Sequence, residues 1–200
     1  MAGCDDGCAT DLAQAGQRQK RTLIIVLLIN AAMFVLEFGA GIISQSTALM
    51  ADSLDMLADA FIYGLGLFAL GRATIWKNRA AMSSGVLQLL LGIGVAVQAV
   101  VRMSMDYLPD PTTMGIFGVL ALVANTISFF LLMRYRDGDV NMRATWICTR
   151  NDMINNIGVL IAAALVARLS SPLPDLVIGL LIATIVIHSA WGVIKDARAS

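Results

Sequence analysis

The chain has 200 residues, of which 58% are apolar (AVILMFWYC) and 14% charged, with a mean hydropathy of +0.78. Soluble domains run at roughly 45–50% apolar and about 25% charged, so a soluble two-layer domain and a disordered chain are both excluded. The 14 Lys and Arg balance 14 Asp and Glu, which leaves no basic stripe for nucleic acid, and three Cys are too few for a disulfide scaffold.

A hydrocarbon core about 30 Å thick takes roughly 20 helical residues to cross. Six apolar runs reach that length: Thr22–Ser44, Thr47–Gly71, Ala80–Met103, Thr113–Met133, Arg143–Ala167 and Leu173–Ile194. Polar or Pro- and Gly-bearing stretches such as Asp106–Pro111, Arg136–Asn141 and Ser170–Pro174 separate them, as helix-ending segments do. No run alternates with period two, so strands are excluded. The predicted fold is all-α: a tail over residues 1–21, a six-helix transmembrane domain over 22–194, and a short tail over 195–200.

With six spans, the termini and the second-to-third and fourth-to-fifth loops share one side. That side carries all the Lys and Arg except Arg102 and Arg168 on the other side and Arg150 within a span. The positive-inside rule then places both termini in the cytoplasm of a multi-pass protein of a bacterial-type inner membrane.

The informative residues are the ionisable ones inside the runs: Glu37, Asp52, Asp55, Asp59, Arg150, Asp152 and His188. Each charge at the bilayer centre costs roughly 2.5–3.5 kcal/mol on insertion scales, so such residues face a bundle interior. Asp55 and Asp59 are one helical turn apart, and Cys148 and Asp152 repeat that spacing three spans later. Two facing helices that each offer two donors can close four ligands on one divalent ion, and an oxygen and sulfur set suits Zn²⁺ and similar ions.

These segments resemble a known family. Ser46-Thr-Ala-Leu-Met-Ala-Asp-Ser-Leu-Asp-Met-Leu-Ala-Asp59 resembles the second transmembrane helix of the cation diffusion facilitators, and Asn30…Glu37-Phe-Gly-Ala-Gly41 resembles their first. Cys148-Thr-Arg-Asn-Asp152, followed by Asn155-Asn-Ile-Gly-Val159, resembles the fifth, and Leu173–Gly179 the start of the sixth. The resemblance implies a proton-coupled exporter of Zn²⁺ or Cd²⁺ with Asp55, Asp59 and Asp152 as metal ligands. Cys148 stands where the family usually has His or Asp, which leans toward softer ions. The His-rich loop of some members is replaced by Tyr135–Asn141. The sequence ends six residues after Ile194, so the family's cytosolic C-terminal domain is expected to be absent and any homodimer to be held through the membrane helices.

Other residues keep two readings. Cys4 and Cys8 either collect thiophilic metal at the cytosolic mouth or sit in a tail as reduced thiols. Asp52, on the stripe of Asp55 and Asp59, either relays protons or lines the exit path, or it pairs with Arg150 or caps a polar bundle contact. Glu37 has the same two readings. His188, the single histidine, is a common ligand type but lacks a partner one turn away and reads as structural. Asn125, Asn155, Asn156, Gln88 and Gln98 are expected to bond between helices. Enzyme signatures are missing: one His excludes an HExxH protease, and no Gly-x-Ser-x-Gly elbow, phosphate-binding loop or dinucleotide fingerprint occurs. The partners expected are the lipid bilayer and the metal ion, with protons as counter-ion and no prosthetic group. The rival reading is a membrane metal-binding or assembly subunit that holds an ion without moving it.

Overall fold

The computed structural model describes residues 17–68, 74–133 and 140–199. These form six helices: α1 (Gln17–Ile43), α2 (Thr47–Phe68), α3 (Thr74–Arg102), α4 (Pro111–Met133), α5 (Val140–Leu169) and α6 (Leu173–Ala199). No strand occurs among the described residues. Each expected run is realised as a helix. Four helices begin before their apolar run, α1 at Gln17, α3 at Thr74, α4 at Pro111 and α5 at Val140. The added turns of α1 and α3 carry Gln, Lys and Arg, which are good helix formers.

The tight connections have local causes. Gln45, between α1 and α2, has φ 57°, and Ser170, between α5 and α6, has φ 47°; both reverse the chain in the left-handed region. Asp110 caps α4, its carboxylate accepting from the backbone N–H of Thr112 and Thr113 at 3.1 Å each, with Pro111 in the first helical position. The Thr113 hydroxyl also donates to this carboxylate and is the main reason its pKa lies below the usual value.

Neighbouring helices pair as α1 with α2, α3 with α6 and α4 with α5, while α2 touches all five others and occupies the centre. Close approach decides two of these crossings. A Cβ on Gly41 would meet Met50 at 2.7 Å, and one on Gly179 of α6 would meet the backbone carbonyl carbon of Thr47 at 2.7 Å. Small residues at such points let helices approach where lipid removes the hydrophobic drive.

The exterior is apolar: Leu28 and Val35 of α1, Leu90 and Val100 of α3, Phe130 of α4 and Leu181 of α6 are all exposed. Five helices are long and apolar enough to cross a membrane. The sixth, α2, has 22 residues and carries Asp52, Asp55 and Asp59 in the middle of the bundle. An apolar outer surface around a polar centre is the arrangement lipid requires. The chain is an integral multi-pass membrane protein.

Candidate metal centre

Asp52, Asp55 and Asp59 follow at three- and four-residue intervals, so they form one stripe on α2. Asp52 and Asp59 are buried and Asp55 is half-buried. From α5 the buried Asp152 faces the same stripe, with Asp59 and Asp55 its principal charged neighbours and Asp52 beyond them. The sequence-predicted carboxylates therefore line one interface between two helices 100 positions apart in the chain, without closing to an ion-sized site.

Amide and hydroxyl donors orient them. Asn155 Nδ2 donates to Asp55 Oδ2 at 2.7 Å, and Asn156 Nδ2 donates to Asp52 Oδ2 at 2.6 Å. Asn156 in turn accepts from Asn125 Nδ2 of α4 at 3.0 Å, so a three-helix relay fixes Asp52. The Tyr63 hydroxyl, one turn along α2, donates to Asp59 Oδ2 at 2.9 Å. Asp152 Oδ2 is buried and has no hydrogen-bond partner. Polar groups are seldom left so, because an unmade hydrogen bond costs about 1–3 kcal/mol.

Apolar side chains close the cluster at both ends. Tyr63 packs with Leu23, Val26 and Leu132 on one side. Toward the α1–α2 turn, Leu49, Met50 and Leu54 pack with Ile182 and Val186 of α6. That end is also tied by Asp175 at the start of α6. Its Oδ1 accepts from Ser46 Oγ at 2.6 Å and Ala48 N at 3.1 Å, and its Oδ2 accepts from Thr47 N at 2.7 Å. Beside it Arg102 donates to Gln45 O and Thr47 Oγ1, and its guanidinium lies 5.3 Å from the ring centroid of Tyr107. Burial, then the charge of Asp175, pushes the Tyr107 hydroxyl above its ordinary pKa.

Not every candidate joins the cluster. Among the described residues no three His, Cys, Asp or Glu are gathered closely enough to hold a metal ion. Cys148 occupies α5 one turn before Asp152, and its side chain lies outside the described residues, as do Cys4 and Cys8. His188 is exposed on α6. Arg150 is exposed while Asp52 is buried and bonded to Asn156, so the pairing of Asp52 with Arg150 yields to a pairing with an amide. The bonds expected of Asn125, Asn155 and Asn156 are present. Tyr63 and Asp175 were missed as partners, although Tyr63 continues the four-residue spacing of Asp55 and Asp59.

A family model described as the cation efflux transmembrane domain matches residues 23–200. The chain belongs to the cation efflux family. Among its curated relatives, the "Cadmium, cobalt and zinc/H(+)-K(+) antiporter" of Bacillus velezensis is 25% identical over 199 residues, covering 92% of this chain and 63% of the relative. The "Zinc transporter ZitB" of Pectobacterium atrosepticum is 25% identical, covering 88% of this chain and 59% of the relative. The "Metal cation efflux system protein CzcD" of Cupriavidus metallidurans is 24% identical, covering 89% and 60%. This cation efflux domain thus spans about three-fifths of the length of the relatives it matches.

Proposed function

We propose that the chain exports divalent transition metals, Zn²⁺ and Cd²⁺ foremost, from the cytoplasm in exchange for protons. The observation that carries this reading is Asp152, buried in a membrane bundle with one oxygen unpartnered and with the α2 carboxylates as its charged neighbours. Membership of the cation efflux family and the printed names of the relatives support it.

The ligand set is Asp55 and Asp59 of α2 with Cys148 and Asp152 of α5. The two pairs have one-turn spacing and lie on helices that already face each other. Asn155 and Tyr63 hold Asp55 and Asp59 in orientation, as partners of metal ligands do. Metal binds the deprotonated donors, so protons and metal compete for the same atoms. A cluster facing the cytoplasm loses protons and takes the ion; after the bundle rocks, protons on the far side displace it. Low dielectric disfavours the empty, fully charged cluster and couples the two cargoes. The positive-inside bias puts both termini in the cytoplasm.

Purified chain in sealed proteoliposomes tests this reading. Metal flux is expected that rises with an imposed pH gradient, is lost in Asp59→Ala and Asp152→Ala, and leaves insertion of both variants intact. Metal binding without flux would establish the static subunit instead. Flux indifferent to the gradient would establish a passive channel.

A further inference from the structure

Glu37 of α1 takes no part in the cluster described above. It is fully buried, and neither of its carboxylate oxygens has a hydrogen-bond partner among the described residues. It faces Asp52 across the α1–α2 interface, and the Oδ2 of Asp52 is taken by Asn156. The two side chains come within hydrogen-bonding reach of each other and no third residue donates to Glu37, so the pair holds either one shared proton or a cation between its oxygens. Of the two Arg at that end of the bundle, Arg102 is engaged with Gln45 and Thr47 and Arg168 is exposed.

A second observation lies along α1. Asn30, Glu37 and Ser44 recur every seven residues and so share a face. All are buried, and each has oxygen without a partner: Asn30 Oδ1, both Glu37 oxygens and Ser44 Oγ. Contacts of Gly64 with Leu27 and of Gly41 with Met50 set the helix register. That register puts Asn30 level with the turn Asp59–Tyr63, Glu37 level with the turn Asp52–Asp55, and Ser44 beside the α1–α2 turn. Unspent oxygens therefore run from the depth of the proposed ligands to the end of the bundle.

We propose that Glu37 and Asp52 form a second cation station, placed between the Asp55–Asp59–Asp152 cluster and the α1–α2 turn on the route by which the ion leaves. The station rests on the transport reading above. Its donors are all oxygen, so it takes harder divalent ions than a thiolate-bearing cluster does. Two carboxylates match the charge of one such ion. Asn155 and Asn156, adjacent on α5, each hold one carboxylate of the two stations, so the stations share a single turn of helix.

Full chain in detergent, loaded with one equivalent of Cd²⁺ and then titrated with Mn²⁺, tests the station by loss of the free Mn²⁺ resonance signal. The unmodified chain is expected to bind one Mn²⁺ beyond the Cd²⁺. Glu37→Gln is expected to weaken Mn²⁺ binding about tenfold or more, since one of two charged donors is neutralised, while Cd²⁺ binding stays within about threefold and shows that the variant is folded. Asp52→Asn is expected to act in the same direction, and Glu37→Asp, which keeps the charge, to retain part of the binding. Cd²⁺ binding without Mn²⁺ binding, the result of a proton alone shared by the pair, overturns the station and spares the transport reading. Equal Mn²⁺ binding in the unmodified chain and both neutralised variants does the same. Failure to bind Cd²⁺ at all overturns the transport reading and the station with it.

Discussion

Tyr63 donates its hydroxyl proton to Asp59 at 2.9 Å, four residues back along the same helix, while its ring packs among Leu23, Val26 and Leu132. One side chain therefore both orients a proposed ligand and seals one end of the cluster. Tyr63→Phe separates these roles, because it keeps the ring and removes the donor. Metal affinity is expected to fall about tenfold, the lower end of the usual cost of losing a ligand's partner. Thermal stability should fall by no more than about 1–3 kcal/mol, since packing is kept and one buried acceptor loses its donor. Calorimetric titration and thermal unfolding in detergent check the two halves; unchanged affinity would mean that Asp59 needs no orienting partner.

Asp175 of α6 supplies acceptors to Ser46, Thr47 and Ala48, where α2 begins with backbone N–H groups that its own ladder cannot use. Ser46 Oγ accepts from Leu49 N at 3.1 Å, so the first turn is satisfied by one serine and one distant carboxylate. Asp175→Ala strips these acceptors from buried donors and is expected to cost about 3 kcal/mol. Asp175→Asn keeps one oxygen but turns an NH₂ toward a donor, and should fall between the two. Ranked unfolding temperatures in the order unmodified, Asn, Ala check this; equal temperatures would show that the cap contributes nothing.

Gly179 and Gly94 are both helical glycines with opposite surroundings. A Cβ at Gly179 meets backbone of Thr47 at 2.7 Å, whereas one at Gly94 meets nothing within 4 Å. Backbone cannot swing aside as a flexible side chain can. Gly179→Ala is therefore expected to destabilise by about 1–3 kcal/mol and to push α6 off the cap of α2. Gly94→Ala should be neutral or stabilise by up to about 1 kcal/mol through helix propensity alone. Unfolding of the two variants side by side is the check.

Cys148 tests the proposed ligand set through ion choice. A thiolate favours Cd²⁺ and Zn²⁺ over Mn²⁺ and Co²⁺. Cys148→Asp makes every donor hard, so Cd²⁺ affinity is expected to fall more than Zn²⁺ affinity and relative tolerance of Mn²⁺ to rise. Cys148→His should retain Zn²⁺ better, since imidazole suits that ion. Competition among the three ions decides; a ranking unchanged in these variants and in Cys148→Ala removes the thiol from the site and leaves it a packing residue.

The sequence by itself determined the number and kind of elements. Six runs of spanning length survive as helices because apolar length and the breaks at Gln45, Pro109, Pro111 and Ser170 are local properties. It also determined the candidate carboxylates, since an Asp inside an apolar run stands out by its cost, and the one-turn spacing of Asp55 with Asp59 follows from helix geometry alone. Only the tertiary structure decided which side of each helix is inside. Leu23 and Val26 are buried while Leu28 and Val35 on the same helix are exposed. No apolar periodicity separates them, and it is the polar Asn30, Glu37 and Ser44 that mark the inner face, because lipid and bundle interior are equally apolar and a spanning helix needs no polar outer face. For the same reason the partners of Asp175, 129 positions from Ser46, were invisible, and so was the facing of Glu37 on Asp52. A polar residue announces that it must be buried against something, and the rotation and crossing of whole helices choose what.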